Sequence, residues 1–562
     1  MDTQDPTQPT ATIEAGLEAL GQGAWEEARS AFEGALQADE SPEALEGLGM
    51  AAWWLEDDEA AIDARERAYR LYKRQDDRRG AARVVATGLA LDYYFRGEHA
   101  VVNGWVRRAH GLLKGLEQCP ELGWLSIVES HMALRADHNP AAAQQFSARA
   151  VALGRSLGDT DLEMLALAYE GCALADQGKI AEGMHCLDEA VAAAVAGEMS
   201  NLFAIAMTYC CLIYTCERVR DFNRVAQWCA KLRELCERWS YQMKLSICRT
   251  YYASTLIWRG VWAEAEVELE EAIRDLERTR PVQAADGLVR LAELRRRQGR
   301  FDDVALLLER ADSHPFRMLA GHFAILGHAA MALDQGDAKT AADLAERFLR
   351  TIADEDRLDR AVGLEVLLRA RLAIGDRAEA EKILAEVRSI ASVVDTEAMR
   401  GSSRFADGLV TAAGGDHKSA KAHFEDAVYL FDRSGAPFET ATARLELARC
   451  LFTLGQSEAA ELQAQDARES FQILGAAAEA ERAATLLREL ARVGERLDLA
   501  GLSRREVEVL RLVAQGLSNQ EIAAQLVLSK HTVHRHISNI LAKLDLPSRA
   551  AAAIYAARHD LL

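Results

Sequence analysis

Apolar residues recur three and four positions apart along almost all of this chain, the spacing of amphipathic helices, and no sustained strand-like alternation interrupts them. A longer rhythm overlies the first. A turn glycine is followed by small or apolar residues five, nine and twelve positions later, as in Gly23, Ala28, Phe32, Ala35 and in Gly178, Gly183, Leu187, Ala190. The same spacing returns in Gly260, Ala265, Leu269, Ala272; Gly299, Val304, Leu308, Ala311; and Gly336, Ala341, Ala345, Phe348. It closes with Gly375, Ala380, Leu384, Val387; Gly415, Ala420, Phe424, Ala427; and Gly455, Ala460, Ala464, Ala467. From Gly299 to Gly455 successive glycines stand 37, 39, 40 and 40 residues apart, and weaker copies lie around Ala61, Gly97, Ala143 and Asp221. Each unit predicts a helix, a glycine-containing turn and a second helix, with small residues where the two cross. Such units bury their apolar faces only by stacking on neighbours, so the expected fold is all-α, an α-solenoid of antiparallel helix pairs.

The pattern changes near the C-terminus, where the helices shorten. Ser503 is placed to N-cap a helix with Glu506 as its capping-box partner, and Glu506, Val509, Leu510 and Val513 follow at helical spacing until Gly516. Ser518 or Asn519 caps a second helix with Ile522, Ala523 and Leu526 inward, and Val527 and Leu528 form the turn. Ser529 caps a third helix, on which Val533, Ile537, Ile540 and Leu544 make one buried stripe. Its opposite face carries His531, His534, Arg535 and Ser538, with Lys530 at the start, free to reach phosphate. Two helices joined this way, the second polar and basic at its N-terminal half, form a reader of the DNA major groove.

Charge sharpens that reading. From Gly501 onward eight Lys and Arg face five acids, a local charge of +3 in a chain of formal charge −21, so the rest carries −24. DNA affinity comes largely from phosphate neutralisation, which confines contact to this small basic segment and makes a single copy a weak binder.

The strings LSRREVEVL, GLSNQEIAAQL, SKHTVHRHISNILAKL and SRAAAA resemble the LuxR/GerE-type DNA-binding domain, a four-helix unit. The resemblance implies that Asn519 to Ser538 is the helix-turn-helix, that Thr532, His534, Arg535 and Ser538 face DNA, and that Lys543 is the family's basic residue near the end of the recognition helix. Ser518, Asn519, Ser529 and Lys530 complete the expected DNA-binding set. The family most often has Lys where this chain has His534. A neutral imidazole both donates and accepts a hydrogen bond, so the resemblance supplies the docking mode but not the base code. Pro547 precedes a last helix whose Ala550, Ala551, Ile554 and Tyr555 match the segment through which the family pairs. A homodimer on DNA is expected, its recognition helices meeting half-sites about one turn apart.

The Gly, Ala, Phe or Leu, Ala spacing resembles the tetratricopeptide repeat, with a period longer than that family's 34 residues. Arrays of this kind occur as the sensor part of large LuxR-type regulators. The expected organisation is a disordered N-terminus over 1–10, tetratricopeptide-like repeats over 11–490, a linker over 491–500 and the DNA-binding domain over 501–562.

Other features are read more plainly. Aromatic stretches at Trp53 and Trp54, Tyr93 to Phe95, and Tyr251, Tyr252, Trp258 and Trp262 could line a ligand groove, but filling between helix pairs is the preferred expectation. Arg295, Arg296, Arg297 and Arg300 are read as a solvated helix end beside Asp302 and Asp303. Six of the ten cysteines lie between Cys210 and Cys248 without a CxxC pair, and are read as small buried hydrophobes rather than a redox or metal centre. His531 and His534 have no third ligand beside them, so no metal is expected. No GxxxxGK[ST], GxSxG or HExxH string occurs, and no enzyme activity or cofactor is expected. The N-terminal residues are polar and acidic, and no apolar run is read as a membrane span, which places the protein in the bacterial cytosol and nucleoid.

The function expected is a transcriptional regulator. Its helix-turn-helix reads double-stranded promoter DNA and engages the transcription machinery, while its repeats sense a protein, peptide or small molecule. The alternatives are a repeat scaffold whose C-terminal bundle docks proteins, and a regulator whose acidic repeats cover the basic domain.

Overall fold

The computed structural model describes residues 8–116, 118–239, 246–313, 321–498 and 501–558. Among the described residues every regular element is a helix. Gln8–Gly21 packs on Trp25–Ala38, Pro42–Trp54 on Asp58–Arg74, and this antiparallel pairing continues to Pro437–Thr453 on Ser457–Leu474. The tetratricopeptide-like architecture read from the sequence is the architecture present. The expected tail over 1–10 lies partly outside the described residues, and the helix Ala477–Asp498 covers most of the expected linker over 491–500.

The glycine rhythm has a backbone cause. All eight signature glycines adopt φ between +73° and +90°, the left-handed region that lets one helix end and the next start two residues later. The positions five, nine and twelve residues on are buried in all eight units. The weaker copies use the same turn with another residue, Glu56 at φ 57°, His138 at 47° and Arg220 at 58°, while Gly97 keeps glycine at 77°.

In the unit of Glu56, the ninth position carries Arg65 where the eight glycine-marked units place an apolar residue. Arg65 is buried, and its Nη1 donates to Asp92 Oδ2 at 2.6 Å. Space for it comes from Gly49, where a Cβ would sit 2.8 Å from Arg65 Cγ, and from Gly88, where one would sit 2.4 Å from Arg65 Nε. Gly88 belongs to a single π-helical turn, Val85–Leu89. Beside this pair Arg280 Nε donates to Asp58 Oδ1 at 3.1 Å, with its guanidinium 4.9 Å from the Trp53 ring. The pairing offsets part of the desolvation cost of burying each charge.

Several expectations are corrected. Arg295 is not solvated: it is buried and pairs with Glu266 at 2.7 Å and Glu270 at 2.9 Å, acids on the preceding helix that pull it inward. Arg297 pairs with Glu439 at 2.8 Å. Cys210 and Cys248 form a disulfide between two helices instead of standing as free thiols, and Cys236 lies among residues whose side chains are not described. Leu202–Val219 is long and apolar enough to cross a membrane, with a mean hydropathy of 1.4, although 72% of it is buried inside the protein. The aromatic stretches divide. Trp53, Trp54, Trp258 and Trp262 are buried between helices, whereas Tyr94, Phe95 and Tyr251 line a cavity.

The chain falls into two compact units. One comprises Met1–Arg295, Phe301–Val366 and Ser389–Thr396; the other comprises Arg296–Arg300, Leu367–Arg388 and Glu397–Leu562.

Candidate nucleic-acid interface

The C-terminal domain is built by its caps. Ser503 Oγ accepts from the Glu506 amide at 3.3 Å while Glu506 Oε2 accepts from the Ser503 amide at 2.8 Å, a full capping box opening Arg504–Ala514. Ser518 and Glu521 repeat it for Asn519–Gln525, which settles Ser518 over Asn519 as the cap. Ser529 Oγ accepts from the Thr532 amide at 3.0 Å and starts Lys530–Lys543. Val533, Ile537 and Ile540 on that third helix join Val509, Leu510, Val513, Ile522 and Leu526 in one core, with Leu544 packed at its edge.

With the inner stripe buried, the outer face is fixed by helical geometry. Lys530, His531, His534, Arg535 and Ser538 are exposed, and Thr532 is half-buried with its hydroxyl 2.7 Å from Ser529 Oγ. Four other basic groups of the domain, Arg505, Arg511, Lys543 and Arg549, are spent internally. Arg505 donates to the Leu526 carbonyl at 2.6 Å, and Arg549 donates to Asn519 Oδ1 at 2.7 Å and to the Leu517 carbonyl. Arg511 is buried against the last repeat, with Nη1 3.0 Å from Ser457 Oγ and its guanidinium 5.1 Å from the Phe452 ring; that burial lowers its pKa. Lys543 Nζ donates to Glu506 Oε2 at 2.6 Å. Lys530 and Arg535 remain as exposed cations without an ion pair among the described residues, both on the N-terminal half of the third helix.

The sequence-selected residues are therefore not equivalent. Lys530, His534, Arg535 and Ser538 share one outward surface; Asn519 is held by Arg549, and Lys543 anchors Glu506. Although burial raises Glu506, the hydrogen bonds from Lys543 and the Ser503 amide outweigh it and hold the carboxyl below the usual range. In the last helix, Arg549–Arg558, Ala552 and Ala556 face the core and Tyr555 packs against it, while Ala550 and Ile554 are exposed and Ala551 is half-buried.

A family model described as bacterial regulatory proteins, luxR family, matches residues 500–556. The C-terminal domain is a LuxR-type helix-turn-helix. Over 61 residues the chain is 49% identical to the response regulator protein VraR of Staphylococcus aureus, and equally to that of Staphylococcus epidermidis. The matched stretch is 11% of this chain and 29% of those proteins' length, so the chain spans less than a third of the relatives it matches. Among solved structures, the APC/C hetero-tetramer Cut9-Hcn1 is 13% identical at a TM-score of 0.45, covering 95% of this chain and 97% of that one. A Rap protein complexed with competence and sporulation factor is 13% identical at a TM-score of 0.39, covering 60% of this chain and 98% of that one.

Proposed function

We propose that the protein is a DNA-binding transcriptional regulator in which the LuxR-type domain reads promoter DNA and the repeats receive an effector. The observation that carries the first half is the location of the free positive charge. Among the described residues of the domain, the two exposed cations without an ion pair, Lys530 and Arg535, lie where a recognition helix enters the major groove, beside His534 and Ser538, which can hydrogen-bond base edges. Arg535 reads bases, Lys530 contacts phosphate, and Ser518, Ser529 and Thr532 set the helix starts. Lys543 acts mainly by holding Glu506. Ala550 and Ile554, with the edge of Ala551, are the surface through which two copies pair on DNA. The proposed division keeps repeats over 11–490 and the reader over 501–562, with the helix Ala477–Asp498 running from the last repeat through most of the expected linker.

Fluorescence anisotropy with promoter fragments selected from random-sequence DNA tests this assignment. Arg535→Ala should lose about tenfold or more on its selected site and much less on random DNA. Equal losses on both, or no DNA binding by the full chain, would refute it; the second result favours the docking-module alternative.

A further inference from the structure

A cavity of about 1030 Å³ opens within the repeats, lined by Tyr94, His131, Arg135, Tyr169, Tyr214 and Tyr251 among others. That volume is at the top of the range for small-molecule sites. Its polar groups are mostly neutralised. Arg218 pairs with Asp356 at 2.6 Å and Asp359 at 3.1 Å, Arg220 with Glu365 at 2.8 Å, and Arg290 with Glu217 at 2.9 Å.

Arg135 is the exception inside. It ends the helix Pro120–Arg135, and its guanidinium lies 3.2 Å from the centre of the Tyr214 ring, but no carboxylate among the described residues is within ion-pair distance. Arg357 also lacks such a partner, but it is exposed at the rim. A guanidinium presents five donors and cannot be neutralised by losing a proton, so one enclosed without an acceptor is poised for an anion. Two further polar atoms on the wall are unspent. His131 Nδ1 is 2.9 Å from the Tyr169 hydroxyl while Nε2 is buried without a partner, and Gln283 Nε2 donates to the Phe95 carbonyl at 3.0 Å while its Oε1 has none. Burial, reinforced by Arg135, pushes His131 down to about 3, so it stays neutral and leaves Arg135 as the enclosed positive centre.

The surroundings restrict the ligand. The lining carries eight carboxylates against five guanidiniums, an excess that repels a multiply charged anion such as a nucleotide. Four tyrosines, two phenylalanines and two histidines on the lining offer ring faces and edges to a planar or apolar body. We infer that this cavity binds a small organic monoanion, a carboxylate on an aromatic or apolar body, with Arg135 holding the carboxylate. The inference rests on the reading of the repeats as an effector receiver and gives that effector its chemistry. The same carboxylate could belong to a free organic acid or end a short peptide.

The test uses the full chain with 1-anilinonaphthalene-8-sulfonate, an aromatic monoanion whose fluorescence rises on binding, beside its uncharged analogue N-phenyl-1-naphthylamine. Saturable binding of the anion should weaken at least tenfold in Arg135→Gln and recover in part in Arg135→Lys, with the neutral analogue unaffected. Melting curves for each variant check that the fold is intact. Displacement of the anion by 3-phenylpropionate marks a free acid as the source, whereas displacement by an apolar tripeptide but not by its C-terminal amide marks a peptide end. Absent saturable binding, equal affinity in Arg135→Gln, or displacement by none of these carboxylates overturns the inference. If the site behaves as stated but saturating probe leaves DNA affinity unchanged, the site stands and the receiver reading falls.

Discussion

Arg535 and Lys543 carry the same charge on the same helix yet sit in different surroundings, Arg535 exposed and Lys543 bound to Glu506, and only the structure separates them. The resemblance marks both as basic positions of the recognition helix. The acceptor for Lys543, Glu506, is 37 residues away in sequence and meets it only after the first and third helices pack. Lys543→Ala should therefore lower the thermal stability of the domain, by roughly 1 kcal/mol for a half-exposed pair, before any effect on DNA is considered. A melting temperature unchanged in Lys543→Ala would return that residue to the DNA-binding set. Val527 shows another local tension. It is 91% exposed and holds φ at 53°, a region that β-branched residues avoid, in the turn between the two helices of the motif. Val527→Gly should gain about 0.5–1 kcal/mol, because the strain relieved exceeds the chain entropy that glycine adds. A loss of stability in denaturant unfolding would show that the side chain is needed where it stands.

At the scale of elements, the sequence shows the repeats most clearly where glycine marks the turn and only faintly around Ala61, Ala143 and Asp221, where another residue takes the same conformation. Glu56, His138 and Arg220 make the turn without announcing it, and Arg65 replaces the apolar ninth residue with half of a buried ion pair. Also unread were the notches opposite the large side chains. A Cβ on Gly408 would lie 2.5 Å from Phe424 Cε1, and one on Gly47 would lie 2.2 Å from Phe32 Cζ, contacts between different helices that no local pattern encodes. Phe424→Ala should cost about 3–5 kcal/mol, the range for an emptied aromatic site. Because each pair leans on its neighbours, hydrogen exchange should speed up mainly in adjoining helices. Acceleration spread evenly over the whole chain would contradict that local coupling. The capping box that opens the C-terminal domain was legible in full, but its pH consequence depends on the Lys543 contact. The folded-state pKa of Glu506 is depressed, so its contribution is present above the ordinary carboxylate range and is lost as pH falls through the depressed value. The domain should lose stability through that acid window, and Glu506→Gln should flatten the loss; identical acid profiles for the two proteins would count against the coupling.

For the whole molecule, charge separates the reader from its acidic background. The chain carries a formal charge of −21 while its last residues, from Gly501, carry +3. That asymmetry was legible from the charge count, the all-helical class from the apolar spacing, and the position of the LuxR-type domain from its caps and motif strings. The cavity was not, because its walls come from helices spread from Tyr94 to Val394 in sequence, which meet only in the folded chain. The spacing of aromatic residues pointed to some of those helices but could not show that Arg135 lacks a partner.

The central claim is that the LuxR-type domain binds DNA through the outward face of its third helix. The most direct measurement is the affinity of the full chain for its selected promoter fragment between about 50 and 200 mM salt, repeated with Lys530→Ala. The logarithm of affinity should fall linearly with the logarithm of salt, with a slope about one unit shallower in the variant. A salt-independent affinity, or a slope that Lys530→Ala leaves unchanged, would contradict it.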